Sequence, residues 1–218
     1  MDDRFPNWLA RILRKLDFVG IPNLGSILAA IAIIAFVANL VNPAGLERIV
    51  FDPQLVSEGE WWRILTFFFS GGFRSAISVL FYVLYIYFVI NTLESVWGEG
   101  PVTVFVILIY AFSMAGAFIV NVPVETSSYL LLNVSLAFGT LFPDYELMLY
   151  GILPVKAKWL AGVSVAFALW QFYSGDYVVL PLSVVPYFIF FSHMLYYRTK
   201  SRMRVKANRK RFDDDMWR

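Results

Sequence analysis

Six apolar runs divide the chain, each near the ~20 residues that cross ~30 Å of hydrocarbon. They fall at residues 24–42, 75–96, 101–121, 126–142, 157–174 and 177–197. Residues 98–101, 122–125 and 175–176 separate them so briefly that tight turns are predicted there. Ahead of the first run, residues 7–19 are amphipathic. Trp8, Leu9, Ile12, Leu13 and Leu16 share one helical face, and Arg11, Arg14 and Lys15 occupy the other. That pattern predicts an interfacial helix anchoring the first span. The first apolar run is too long for a signal-peptide core and follows about twenty polar and amphipathic residues, so no cleavable leader is expected. The expected fold is an all-α, six-transmembrane-helix bundle.

Composition agrees. Of 218 residues, 59% are hydrophobic and 16% charged, against about 25% charged in a soluble domain. A soluble enzyme is excluded, and 18% aromatic content excludes a disordered chain. With no Cys there is neither disulfide nor thiol nucleophile, and with one His there is no histidine cluster for zinc. No metal, cofactor or nucleic-acid partner is expected.

Charge placement gives a topology. Arg4, Arg11, Arg14 and Lys15, then Lys156 and Lys158, then nine basic residues from Arg198 to Arg218 all fall on one side of a six-span chain. Fifteen basic residues stand there against three (Arg48, Arg63, Arg74) on the other. Both termini are therefore expected in the cytoplasm. The chain divides into an amphipathic segment (1–22), a membrane domain (23–198) and a tail (199–218). The tail is basic, then acidic at Asp213–Asp215. It acts as a positive-inside stop with some attraction to anionic lipid, or offers a docking segment to a cytoplasmic partner.

Two connections exceed a turn. Residues 43–74, on the outer side, carry Trp61, Trp62, Phe67, Phe68 and Phe69, which suit headgroup level. Residues 143–158 are expected to skim the cytoplasmic interface.

Three stretches resemble the rhomboid superfamily across residues 25–198. In the outer loop, Glu60-Trp61-Trp62-Arg63, Leu65-Thr66 and Gly71-Gly72-Phe73 look like the family's Glu/Gln-x-Trp-Arg and Gly-Gly-Phe signature, of which Glu60, Trp62, Arg63, Gly71 and Gly72 are the site positions. Leu93-Glu94 and Trp97-Gly98 are similar to its junction between spans two and three. Ala137-Phe138, Leu141-Phe142-Pro143-Asp144 and the run from Leu153 to Ala161 look like the end of span four and the start of span five. The resemblance implies a six-span bundle with a half-embedded outer loop.

The catalytic positions depart from that pattern. Active members carry Gly-x-Ser-Gly, and the matching stretch is Thr126-Ser127-Ser128-Tyr129: Ser128 remains and both glycines are gone. Ser75 and Val79 stand where a His-x-x-x-Asn faces the oxyanion, and Pro186 lies near the position of the general base. His193 cannot replace it. It is expected about 24 Å along span six at ~1.5 Å per residue, leaving an axial gap of roughly 20 Å to Ser128, against a hydrogen-bond reach of about 3 Å. No catalytic residue is therefore assigned. The pattern resembles rhomboid pseudoproteases such as Derlins, though residues 199–218 lack the glycines of the Derlin unfoldase-recruiting motif. The resemblance implies a bacterial, non-proteolytic membrane protein that binds transmembrane clients or thins the bilayer, affecting membrane-protein quality control. The alternative is a divergent protease using Ser128 with water or Tyr129 as base. A small transporter is a third reading, weakened by the lack of a charged relay inside the spans.

Span four carries two polar stripes. Thr126, Asn133 and Thr140 recur every seven residues, and Ser128, Ser135 and Gly139 lie on the other side. It is therefore expected at the centre of the bundle, with Asn133 bonded between helices. Ala111, Ala115, Gly116 and Ala117 in span three and Ala161, Gly162, Ala166 and Ala168 in span five offer small surfaces for close packing. Glu60 stands one turn before Arg63 and is its expected partner.

Overall fold

A computed structural model describes residues 5–42, 50–67, 75–124, 127–149, 153–196 and Lys200. The amphipathic lead-in forms α1 (Asn7–Lys15) and a 3₁₀ turn (Asp17–Val19). Then come α2 (Leu24–Val41), two short helices, α3 (Pro53–Ser57) and α4 (Trp62–Thr66), and two long helices, α5 (Ala76–Trp97) and α6 (Glu99–Val120). α7 (Ser127–Leu141) leads into strands β1 (Glu146–Leu149) and β2 (Leu153–Lys156), followed by α8 (Ala157–Tyr173), α9 (Val179–Ser183) and α10 (Val185–Tyr196).

Three of these segments, Asp17–Val41, Ala76–Trp97 and Glu99–Val120, are long and apolar enough to cross a membrane. Their outer surfaces are apolar too: Ile34, Leu40, Ile77, Leu80 and Ile119 are exposed, as a chain associated with a membrane requires. The other apolar helices are shorter. α7 has 15 residues and α8 has 17, spanning roughly 22 and 25 Å at 1.5 Å per residue. The last apolar run, expected as one helix, is broken at Val184 between α9 and α10. Pro186 supplies the reason, since it has no N–H to donate back to Leu182.

Contacts between helices are made by small residues where backbones approach closely. α2 lays Gly25, Leu28, Ala29, Ala32 and Ala35 against α5, and a Cβ at position 25 would come within 2.6 Å of the Asn91 side chain. Gly116 of α6 meets α9, and Gly139 of α7 meets Ala157 and Ala161 of α8. The expected small surfaces are thus used in part. Gly116, Ala117, Ala161 and Ala168 pack, whereas Ala111, Ala115, Gly162 and Ala166 point outward, because each helix buries only the stripe that faces a neighbour.

The segment expected to skim the interface contains an antiparallel hairpin instead, with Glu146 opposite Lys156 and Leu149 opposite Leu153. A two-stranded hairpin is marginal by itself. This one is pinned at its base, where the Ala157 and Lys158 amides donate to the carbonyls of Tyr145 (2.8 Å) and Pro143 (3.2 Å). Lys158 also donates to Asp144 at 2.9 Å. That hydrogen bond, reinforced by the lysine's charge, holds the Asp144 carboxyl below its ordinary range. The pair therefore persists at neutral pH and is released only as pH falls through that lowered value.

α1 is divided differently from the single apolar face expected. Leu9 and Leu13 are buried in the bundle, and Phe5 packs edge-on against Trp97 and Phe190, while Trp8 and Ile12 remain exposed.

A Cβ at position 116 would lie 2.8 Å from Val179 Cα, backbone that cannot move aside cheaply, whereas one at 162 meets nothing within 4 Å. Gly116→Ala should cost about 1–3 kcal/mol, and Gly162→Ala should be neutral or stabilise by up to ~1 kcal/mol. Thermal melting of both variants in detergent checks the difference.

Candidate functional site

The residues singled out from the sequence gather in two places, the seam between α7 and the last helices and the loop between α2 and α5. α7 is enclosed over half its length: Tyr129, Leu130, Leu132, Asn133, Val134, Ser135, Ala137 and Phe138 are buried. At about 100° per residue, Tyr129, Asn133 and Thr140 fall within ~40° of one another, and this face meets α9 and α10. The Tyr129 hydroxyl donates to Asp176 Oδ2 at 2.8 Å. Asn133 Nδ2 donates to the carbonyls of Tyr129 and Ser183, both at 2.9 Å. Thr140 Oγ1 lies 2.8 Å from the Leu136 carbonyl and 2.7 Å from the Tyr187 hydroxyl. A hydroxyl has one proton, so Thr140 donates to the carbonyl and Tyr187 donates to Thr140. Asp176 Oδ1 accepts the Leu180 amide at 3.0 Å, which fastens the start of α9 to the same ladder.

Ser128 is not on that face. It is about 100° from Tyr129 and shares the azimuth of Ser135, seven residues on. Ser135 accepts from Tyr85 of α5 at 2.9 Å, and Gly139, on the same side, faces α8. The position looking onto the last helices is Tyr129, and its hydroxyl is engaged with Asp176. His193 lies in α10 six residues beyond Tyr187, which is level with Thr140. Twelve residues of α7 and six of α10 put it about 27 Å from Ser128 along the bundle. Ser75 caps α5, accepting the Ser78 amide at 3.2 Å, and Val79 is buried beside Ala32. Among the described residues, no group of three His, Asp or Glu side chains forms a metal-binding cluster. The arrangement holds helices together, and among the described residues no hydrogen bond joins Ser128 to a base.

Beside the polar ladder lies an apolar groove of ≈ 370 Å³. Its floor is Leu132 and Leu136 of α7. One wall is Val165, Leu169 and Phe172 of α8, and the other includes Val184 and Phe188 around the α9–α10 break. α8 touches α7 closely at its first turns, through Ala157 and Ala161, and the groove opens along its second half.

In the loop between α2 and α5, Arg63 is 4% exposed. Its Nε donates to Glu60 Oε2 at 2.6 Å and its Nη1 to the Val50 carbonyl at 2.8 Å. The expected pair forms, and it also grips the chain entering the loop. The next residue, Phe51, is bridged to Val124 through the Val124 amide (2.9 Å), tying the loop to the turn between α6 and α7. Phe51 and Phe67 are fully buried, their ring centroids 5.4 Å apart, and they contact Phe118 and Tyr110 of α6. Phe67 was expected at headgroup level and is a core residue instead, because burying its ring beneath the loop removes more apolar area from water than an interfacial position would. Trp61 and Trp62 are exposed as expected. Gly71, Gly72 and Thr126, together with Phe68 and Phe69, lie outside the described residues.

Sequence reasoning missed three residues of this architecture. Asp176 stands in a predicted turn and Tyr187 within an apolar run, so neither announces its partner in the sequence. Glu94 accepts the Leu24 amide at 2.8 Å and so caps α2 from 70 positions away. The one available signal was Pro186, which marks a helix interruption and therefore a demand for outside hydrogen-bond partners. No protein-family model, curated protein or solved structure matches the chain.

Removing Arg63 leaves the Val50 carbonyl and a partly buried Glu60 without their donor. Arg63→Ala should destabilise the fold by about 2 kcal/mol or more. Lys158→Ala breaks an exposed pair and should cost under about 1 kcal/mol. Denaturant unfolding in a mild detergent reads both.

Proposed function

We propose that the chain is a rhomboid-like, Derlin-like integral membrane protein without proteolytic activity, which binds transmembrane clients from the side and thins the bilayer around them. In this reading six helical segments cross the membrane, both termini are cytoplasmic, and the protein sits in a bacterial plasma membrane, where it acts in membrane-protein quality control. The observation that carries the reading is the groove between α7, α8 and the α9–α10 break. It is apolar and lies beside α7 and α8, which are shorter than α2, α5 and α6. Helices of ~22–25 Å against ~30 Å of hydrocarbon favour local thinning, at fractions of a kcal/mol per Å of mismatch. Thinned lipid next to an apolar groove lowers the cost of a client helix that carries polar residues.

The absence of proteolysis is supported by the use made of α7. Its face toward the last helices is occupied by Tyr129, Asn133 and Thr140 in structural hydrogen bonds, and Ser128 points away from them. General-base assistance is worth about 10²–10⁴-fold, and a serine without it is a poor nucleophile. The outer-loop clamp at Glu60 and Arg63 holds the loop over α6 beside the client path.

Two measurements test the proposal. A photocrosslinker at Leu169 or Phe188, on the groove walls, should capture a polar-interrupted model helix severalfold better than a uniformly Leu-rich one, and one at Ile119 should not discriminate; equal capture from the groove positions would remove the client-binding role. Ser128→Ala should leave every activity of the protein unchanged. Cleavage of a transmembrane substrate that vanishes in this variant would show a protease.

A further inference from the structure

Packing divides α1 into three faces where its sequence suggests two. Leu9 and Leu13 are each 3% exposed and lock the helix to the bundle, helped by the Phe5 ring against Trp97 and Phe190. Trp8 and Ile12, about 40° apart on the helix, are 53% and 46% exposed. Next to them, Arg11 and Lys15 lie about 40° apart, with Arg14 beyond, all exposed. The basic stripe therefore adjoins an exposed apolar stripe on a helix already fixed in position by its third face.

Among the described residues, the acid next along the chain does not neutralise it. Asp17 is turned toward the first turn of α6, so closely that a Cβ at Gly100 would meet its Oδ1 at 2.5 Å. Among the described residues, no carboxylate forms an ion pair with Arg11, Arg14 or Lys15. α1 sits at the end of the bundle where α2 and α6 begin, one short turn before the first apolar helix. That places its outer faces at the boundary between hydrocarbon and headgroups.

We infer that α1 is a docking site for anionic phospholipid headgroups of the leaflet it faces. Trp8 and Ile12 enter the acyl boundary, and Arg11, Arg14 and Lys15 meet the phosphates above it. Two complementarities select this occupant over an acidic protein: negative charge for the basic stripe, and hydrocarbon immediately beside it for the apolar one. Because α1 is held by Phe5, Leu9 and Leu13, the bound lipid is held against the bundle, next to Trp97 and the turn between α5 and α6. The inference rests on the membrane placement proposed above and is independent of client binding.

The chain has no cysteine, so a single introduced thiol labels one position. Full-length protein carrying a fluorophore at Ile12→Cys is placed in nanodiscs with a nitroxide-labelled phosphatidylglycerol or phosphatidylcholine at equal mole fraction. Quenching by the anionic lipid should exceed that by the zwitterionic one about fivefold, the factor one well-placed basic residue contributes at a leaflet surface. The excess should fall at high salt and disappear when Arg11, Arg14 and Lys15 are all changed to Gln. It should survive Arg11→Lys with Arg14→Lys, which keeps the charge. A label at Leu65→Cys, at the opposite end, should show no excess. Equal quenching by the two lipids, an excess that ignores salt, or one that survives the triple change would overturn the site while leaving the crosslinking result standing. The salt arm uses the otherwise unaltered labelled chain, so it decides the matter even where the triple variant folds poorly. Absence of quenching by either lipid would overturn the membrane placement, and this inference with it.

Discussion

Asn133 donates both amide hydrogens to backbone carbonyls, one in its own helix and one at Ser183, and the last third of the chain is organised around the second bond. Pro186 interrupts the final apolar run, so carbonyls near Val184 lose the donors that a continuous helix would give them. An unsatisfied buried polar group costs about 1–3 kcal/mol, more than any single apolar contact nearby returns. A broken helix in such surroundings persists only where a neighbour supplies the donor. Asn133 does so from a fully buried position, while its own Oδ1 has no partner among the described protein atoms. The Tyr129–Asp176 and Thr140–Tyr187 contacts lie on the same face and fix the register of α7 against α9 and α10 above and below that bond.

This use of α7 decides what its polar residues can do. A helix has one azimuth toward each neighbour, and the azimuth toward the last helices is filled by a tyrosine, an amide and a threonine engaged with partners. Ser128 shares its side with Ser135 and Gly139, which serve contacts to α5 and α8. Nucleophilic chemistry needs a base held within about 3 Å of the serine hydroxyl, whereas the face of α7 toward the last helices carries structural bonds. What remains usable is the groove, where the α9–α10 break and the second half of α8 leave apolar walls unfilled.

The helical layout was legible because hydropathy and turn residues are properties of short windows. The helix limits fall close to the apolar runs, Gly98 and Gly175 take up positive φ where turns were expected and Asn121 does so one residue before another, and the Glu60–Arg63 pair follows from one turn of spacing. The remainder depends on partners far apart in sequence. Nothing near Glu94 announces that it caps α2, since the amide it accepts belongs to Leu24. Phe67 and Trp62 both stand in an aromatic-rich loop, and only the fold of that loop decides which is buried. The hairpin escaped notice because its four-residue strands are too short for alternation to emerge from the surrounding apolar sequence. The division of α1 into a docking face and an exposed apolar face was hidden because both are made of the same kinds of residue.

The two ends of the bundle are closed by different physics, and this constrains how thickness can vary between them. At one end Arg63 draws Glu60 and the Val50 carbonyl together over a buried Phe51–Phe67 pair. At the other, Trp97 sits among Phe5, Phe105, Phe190 and Phe191, with ring centroids 5.4–5.7 Å away, joining α1, α5, α6 and α10. Both closures bind short helices to long ones. α6 is held at its far end by Phe118 and Tyr110 under the loop, and at its start by Phe105 against Trp97. α7 and α8, several residues shorter, are joined to this frame by the Ser135–Tyr85 and Gly139–Ala161 contacts and cannot lengthen to match it. The apolar body is therefore longer on the α2–α5–α6 side than on the α7–α8 side, and the groove opens on the shorter side.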